Sequence, residues 1–219
     1  FDGELSTVSS ARLFTVSGDL YHGGPSWYVS VDGSNVNGNG SFDYPYRSIQ
    51  YAAVKSSAND TIKVNEGTYL ENLSIEHNIN IEGLMQFNER PIIDGNGLGN
   101  VITVENGSEL RISSLTLKNG SADNDGGGAI FSQAGPLFVD NCFFIDNNAI
   151  GSGGAIYVSN ETSSIIDSYF EDNQSTLTNG GAIYLGGGDV INSTFISNSA
   201  GGDGGAIYVN GSNSSIRRS

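Results

Sequence analysis

The sequence predicts an all-β fold: a parallel β-helix, or solenoid, closed at its N-terminal end by a short helix. Three observations carry this reading. The string Gly-Gly-Ala-Ile-aromatic occurs at 127–131, 153–157, 180–184 and 204–208, at intervals of 26, 27 and 24 residues. A second string, Phe-x-x-Asn, interleaves with it, from Phe144 to Asn147, Phe170 to Asn173 and Phe195 to Asn198. The composition is rich in β-branched and turn-forming residues, with 31 glycines in 219 residues, which favours many short strands over long helices. A repeat this short, without a helical pattern, is one supersecondary unit that cannot bury its apolar side chains alone and must stack on its neighbours.

Stacking makes the motifs readable. Strands of adjacent coils lie about 4.8 Å apart, so residues one period apart sit over one another. Side chains alternate along each strand. Ile130, Ile156, Ile183 and Ile207 are therefore expected inside, joined by Val158, Leu185 and Val209. Phe131, Tyr157, Tyr184 and Tyr208 are then expected to form an aromatic ladder on the outer face. The preceding glycine pairs supply turns with positive φ. Phe144, Phe170 and Phe195 should stack inside. Asn119, Asn147, Asn173 and Asn198 should form a stacked amide ladder at a corner, which satisfies backbone groups along the axis. Ser114, Cys142, Ser168 and Ser193 fall in one slot, so the single cysteine reads as a small buried side chain in a serine position.

Upstream, Thr61–Val64, Leu73–Ile75, Ile79–Ile81, Pro91–Ile93, Val101–Val104 and Leu110–Leu117 read as strands of shorter coils, separated by turn signals such as Asp94-Gly-Asn-Gly97. Ile49, Ala52, Ala53 and Ser56 lie at helical spacing within 47–57, where a short helix would cover the open end of the solenoid. Three segments follow. Residues 1–26 are an N-terminal extension or strand layer, 27–60 a cap with the helix, and 61–219 the solenoid, with the repeated coils starting near 113. The last residues, Val209–Ser219, align without a gap on Val158–Ser168, so the sequence stops in mid-coil.

Charge and chemistry narrow the function. A net charge of −15 disfavours nucleic acid and anionic membranes as partners. No apolar run approaches the length of a membrane-spanning helix. One cysteine allows no disulfide within the chain, and two histidines allow no histidine-rich metal cluster. The acidic pairs Asp123/Asp125 and Glu171/Asp172 fall in expected turns. Arg12, Arg47, Arg90 and Arg111 are scattered, and Arg217 and Arg218 sit at the chain end. Nothing converges as an acid, base or arginine cluster for glycan cleavage, so the reading is non-catalytic. No cofactor is expected. Structural calcium is considered at Asp123 and Asp125, although an EF-hand glutamate is missing and such residues are ordinary in turns. Asn-x-Ser/Thr acceptor sites occur at Asn39, Asn59, Asn72, Asn106, Asn119, Asn160, Asn173, Asn192, Asn210 and Asn213, which leans towards a glycosylated, extracellular protein.

The alternation of Gly-Gly-Ala-Ile-Tyr with Phe-x-x-Asn over 127–208 resembles the repeats of chlamydial polymorphic outer membrane proteins and of adhesin-like surface proteins of methanogenic archaea. The segments Trp27-Tyr-Val-Ser-Val-Asp-Gly33, Pro45-Tyr-Arg-Ser-Ile-Gln-Tyr-Ala52 and Asp60-Thr-Ile-Lys-Val-Asn-Glu-Gly-Thr-Tyr69 look like the opening of secreted right-handed parallel β-helix proteins. Archaeal adhesin-like proteins combine both halves. The resemblance implies a right-handed helix, a cell-surface location and a role in attachment or display, and carries no catalytic residues. The partners so implied are glycans or proteins of other cells, or copies of the chain itself. A structural subunit of an extracellular filament or sheath is the alternative, and a polysaccharide-active enzyme a lesser one. The aromatic ladder is the candidate contact surface, with the competing reading that stacked rings only stabilise successive coils.

Overall fold

The structure is a computed structural model that describes residues 25–85, 89–123, 126–160 and 162–219. It is a parallel β-solenoid of about six turns. The coils that start at Thr61 and Ile79 cross three sheets, and those from Leu110 onward cross four in turn. In one coil, Leu137–Asp140 lies in sheet I, Phe143–Ile145 in sheet II, Asn148–Ala149 in sheet III and Ile156–Val158 in sheet IV, before Ser163–Ile166 re-enters sheet I. Sheet I has eight strands, sheets II and IV six each and sheet III four, with every paired strand parallel.

The core is made of inward rows that run along the solenoid axis. In sheet IV, Leu73, Ile102, Ile130, Ile156, Ile183 and Ile207 follow one another in register. In sheet I the row is Trp27, Ile62, Ile81, Ile112, Val139, Ile165, Val190 and Ile216. Sheet II contributes Tyr69, Ile93, Leu117, Phe144, Phe170 and Phe195. Its three phenylalanines are nearly parallel, with ring centroids 4.7 and 4.8 Å apart. Burial of these rows is the main favourable term for a fold whose individual strands are only two to five residues long.

The corners repeat as regularly as the strands. Between sheets I and II, Ser114, Asn141, Asp167, Asn192 and Arg218 take φ of 50 to 57°. After sheet II, Asn119, Asp146, Asp172 and Ser197 take φ of 52 to 54°. Asn and Asp dominate both columns because a short polar side chain tolerates the left-handed region. Gly127, Gly153, Gly180 and Gly204 form a third column at φ of 60 to 72°. A Cβ on Gly153 would stand 2.0 Å from the carbonyl oxygen of Ile156, so no other residue fits without displacement.

Three sequence expectations shift in register. The segment 110–117 is not one strand. Leu110–Ser113 belongs to sheet I and Thr116–Lys118 to sheet II, with Ser114 turning the corner at φ 57°. Thr116 pairs with Phe143, and Leu117, not Thr116, lies opposite Phe144. Asn119 is consequently one position short of the amide ladder. It takes the left-handed corner aligned with Asp146, and Gly120 occupies the ladder slot, donating its N–H to Asn147 Oδ1 at 2.9 Å. The same shift removes Ser114 from the serine column, where fully buried Leu115 precedes Cys142. Inward burial of Leu115 and Leu117 decides this register over alignment of one amide.

Residues 27–60 are only partly a separate cap. Ser26–Val29 pairs with Thr61–Val64 and is the terminal strand of sheet I. The helix Ile49–Lys55 follows and buries Ile49, Ala52 and Ala53. Ser48 caps it, accepting the N–H of Tyr51. The Glu71 carboxylate accepts the N–H groups of Ile49 and Gln50, both at 2.9 Å, and the Ser48 hydroxyl at 2.8 Å. Gln50 in turn accepts from Ser74 N at 2.8 Å and donates to Ser74 O at 3.2 Å. One glutamine amide thus blocks the free edge of the first strand of sheet IV, Leu73–Ile75, against pairing with another chain. Most of the expected 1–26 layer, with Arg12, lies outside the described residues.

Candidate functional site

Two surfaces stand out, and they lie on different faces of the solenoid. The first is the outer row of sheet IV. Its three-residue strands alternate inward, outward, inward, which leaves a single outward side chain per coil. After Ser74 and Thr103, Phe131, Tyr157, Tyr184 and Tyr208 complete that row, with centroids 5.3, 4.8 and 5.5 Å apart and interplanar angles of 21, 12 and 25°. Rings stacked in this way cover one another's faces. What the row offers to solvent is a line of ring edges and, from Tyr157 onward, one hydroxyl per coil. That geometry suits hydrogen bonding along the axis and leaves only the end rings free for face-on contact with a sugar. Burial between its neighbours raises the pKa of Tyr184; nearby Tyr157 and Tyr208 push the same way, against a hydrogen bond from Asn210.

The Asn ladder is a structural device. Asn147 and Asn173 are fully buried. Asn147 Nδ2 donates to Asn173 Oδ1 at 3.0 Å, and Asn173 Nδ2 to Asn198 Oδ1 at 2.9 Å. Each amide also reaches a backbone carbonyl, Leu117 for Asn147 and Phe144 for Asn173. Asn173 therefore cannot carry a glycan, because its acceptor nitrogen is buried and twice bonded. Of the other acceptor sites, Asn59, Asn72, Asn106, Asn192, Asn210 and Asn213 are exposed, and Asn39, Asn119 and Asn160 are half-buried. The Asn119 amide is held by both oxygens of Asp94, at 3.0 and 3.1 Å.

A second ladder runs through the serine slot. Ser168 Oγ donates to Ile166 O and accepts the N–H of Cys142; Ser193 Oγ donates to Ile191 O and accepts the N–H of Ser168. Cys142 Sγ makes the same donation, to Asp140 O at 3.3 Å. Burial pushes its thiol up to about 12, far from the thiolate that a reactive cysteine needs. Asp123 is exposed, and Asp125 lies outside the described residues. Among the described residues no three His, Cys, Asp or Glu side chains gather as a metal cluster.

The second surface is the outer face of sheet I, which sequence reasoning missed. There a groove of about 450 Å³ runs past Asn80, Arg111, Phe138, Asp140 and Ser164. Arg111 Cζ lies 3.8 Å from the centroid of the Phe138 ring, and Arg111 Nε lies 2.6 Å from Glu109 Oε1. Lys63 and Glu82, one coil apart, form an ion pair at 3.3 Å. Arg111, read as scattered in the sequence, thus meets the Phe138 ring through strand register and Glu109 within its own coil.

Comparison with known proteins bears on the repeats and on the fold. The profile of the Chlamydia polymorphic membrane protein (Chlamydia_PMP) repeat matches residues 141–159, 167–186 and 192–210, which contain the Phe-x-x-Asn and Gly-Gly-Ala-Ile-Tyr elements. A Bacillus subtilis (strain 168) protein, uncharacterized protein YwoF, is 30% identical over 139 residues, covering 58% of this chain and 30% of its own length. Among solved structures, a rhamnogalacturonan lyase superposes with a TM-score of 0.60 at 16% identity, over 89% of this chain and 56% of the lyase. This chain therefore spans under a third of its Bacillus relative and just over half of the lyase. The lyase likeness is one of fold. The repeats are of the polymorphic-membrane-protein type, and the fold is the parallel solenoid.

Proposed function

We propose that the chain is a non-catalytic binding and display module of a cell-surface protein, adhesin-like in character. The observation that carries this reading is the conjunction of repeats similar to those of a membrane-protein family with a single row of outward tyrosines repeated coil by coil. A solenoid holds such a row rigidly, and the hydroxyls then meet a repetitive partner at a fixed spacing. The acidity of the chain, −15 overall, suits a surface that remains solvated outside the cell.

The test is attachment of the purified chain to a panel of microbial and animal cells, compared with a Tyr157→Phe/Tyr184→Phe/Tyr208→Phe variant. Phenylalanine keeps the stack, as Phe131 does, and removes only the hydroxyls. Saturable attachment that weakens in the variant supports the proposal. Attachment by neither protein sinks it, and attachment unchanged in the variant removes the ladder as the contact.

A polysaccharide-active enzyme is the second reading, favoured by the fold likeness to the lyase. Release of new reducing ends or unsaturated products from pectic or other acidic polysaccharides by the purified chain would establish it, and a panel left undigested would retire it.

A further inference from the structure

We propose that the groove on the outer face of sheet I is a binding site for a short neutral oligosaccharide, with Phe138 as its apolar platform. The argument begins with what covers each aromatic ring. The rings of sheet IV cover one another, as do Phe144, Phe170 and Phe195 inside. Phe138 stacks on no ring among the described residues. Arg111 from the preceding coil lies over it at 3.8 Å, and its register partner on the following coil is Ser164, too short to cover a phenyl face. A second step repeats in the adjacent outward row, where Ser113 sits between Glu82 and Asp140. Small residues between large ones make the groove.

Its chemistry is that of a pyranose partner. A sugar ring offers an apolar C–H face and an edge of hydroxyls. Phe138 meets the first, while the Arg111 guanidinium donates, the Asp140 carboxylate accepts, and the Ser113 and Ser164 hydroxyls do either. The guanidinium is anchored by Glu109 at 2.6 Å, which orients it before any ligand arrives. Charge selects the neutral class. Lys63 and Arg111 are already paired with Glu82 and Glu109, so Asp140 leaves the groove net negative within an acidic chain. A polyuronate is repelled there. The site lies on a different sheet from the tyrosine ladder and stands whether or not that ladder mediates attachment.

The experiment is calorimetric and saturation-transfer NMR titration with three tetramers: β-1,4-linked glucose, β-1,4-linked N-acetylglucosamine and α-1,4-linked galacturonate. At least one neutral tetramer should saturate the protein, with the galacturonate tetramer bound more weakly. Phe138→Ala should weaken binding roughly tenfold. Ser164→Phe fills the open side of the ring, so it should block binding while the melting temperature holds or rises. The second variant separates loss of the site from loss of the fold. No saturation by either neutral tetramer overturns the proposal. So does equal or tighter binding of galacturonate, or binding unchanged in Ser164→Phe.

Discussion

Asn173 Oδ1 accepts two hydrogen bonds from Asn147, one coil away: the backbone N–H at 3.1 Å and the side-chain amide at 3.0 Å. Its own nitrogen donates to Phe144 O and to Asn198 Oδ1. One buried amide thus joins three successive coils and satisfies backbone groups that a corner leaves without strand partners.

Replacing Asn173 by Ala strands the Asn147 backbone N–H in the core and breaks the amide ladder on both sides. The expected cost is about 2–4 kcal/mol, read as a lower urea midpoint. Glycopeptide mass spectrometry of protein from a glycosylating host should find Asn173 unmodified. A glycan there would contradict the ladder.

The regular coils were legible in the sequence because the same residue returns to the same slot. Ile130, Ile156, Ile183 and Ile207 and the three phenylalanines needed only a period and the alternation of a strand. Where the period loosens, register passed to burial, which a string match does not weigh. That is why Asn119 lies one position outside the ladder and Leu115 and Leu117 hold the inner slots. The strand Thr68–Leu70 is absent from the sequence reading because three residues are too few to show an alternation. The sheet I groove was not legible at all. Arg111, Phe138 and Ser164 recur in no motif and become neighbours only once the coil lengths are fixed.

Gly153 and Gly205 differ in what lies over them: in the inner coils the second glycine of the pair, Gly154 or Gly181, would meet the next coil's backbone at 2.1 or 2.0 Å, whereas Gly205 lies in the last coil and has none above it. Gly153 has φ +72°, and a Cβ there meets Ile156 O at 2.0 Å; a Cβ on Gly205 meets nothing within 4 Å. Gly153→Ala should therefore destabilise by about 2 kcal/mol or more, while Gly205→Ala should change stability by under about 1 kcal/mol. Thermal melts of the two variants, side by side, read the difference. Equal melting temperatures would mean that the turn tolerates a side chain after all.

Cys142→Ser places in the slot the residue that Ser168 and Ser193 already show to fit. Serine also keeps the donation to Asp140 O. Stability should change by no more than about 1 kcal/mol. The native thiol, fully buried with its pKa pushed up to about 12, should not react with a disulfide reagent at neutral pH until denaturant is added. Rapid labelling of the folded protein would show that this part of the core opens.

Asp94 links acid stability to the corner between the early coils. Burial disfavours its charge, but the Asn119 amide, the Asn96 N–H and Lys118, 3.4 Å away, outweigh that and hold its carboxyl below the ordinary range. A folded-state pKa depressed below the unfolded one stabilises the fold above the unfolded value, near 3.9, and the contribution fades as pH falls through the folded value. Asp94→Asn should lower stability at neutral pH and flatten the fall on the acid side. Urea midpoints of both proteins, measured from neutral pH down to the onset of acid unfolding, should converge as the pH drops. Curves that stay parallel would remove Asp94 from the acid response and leave its hydrogen bonds to Asn119 and Asn96 as packing contacts of no electrostatic consequence.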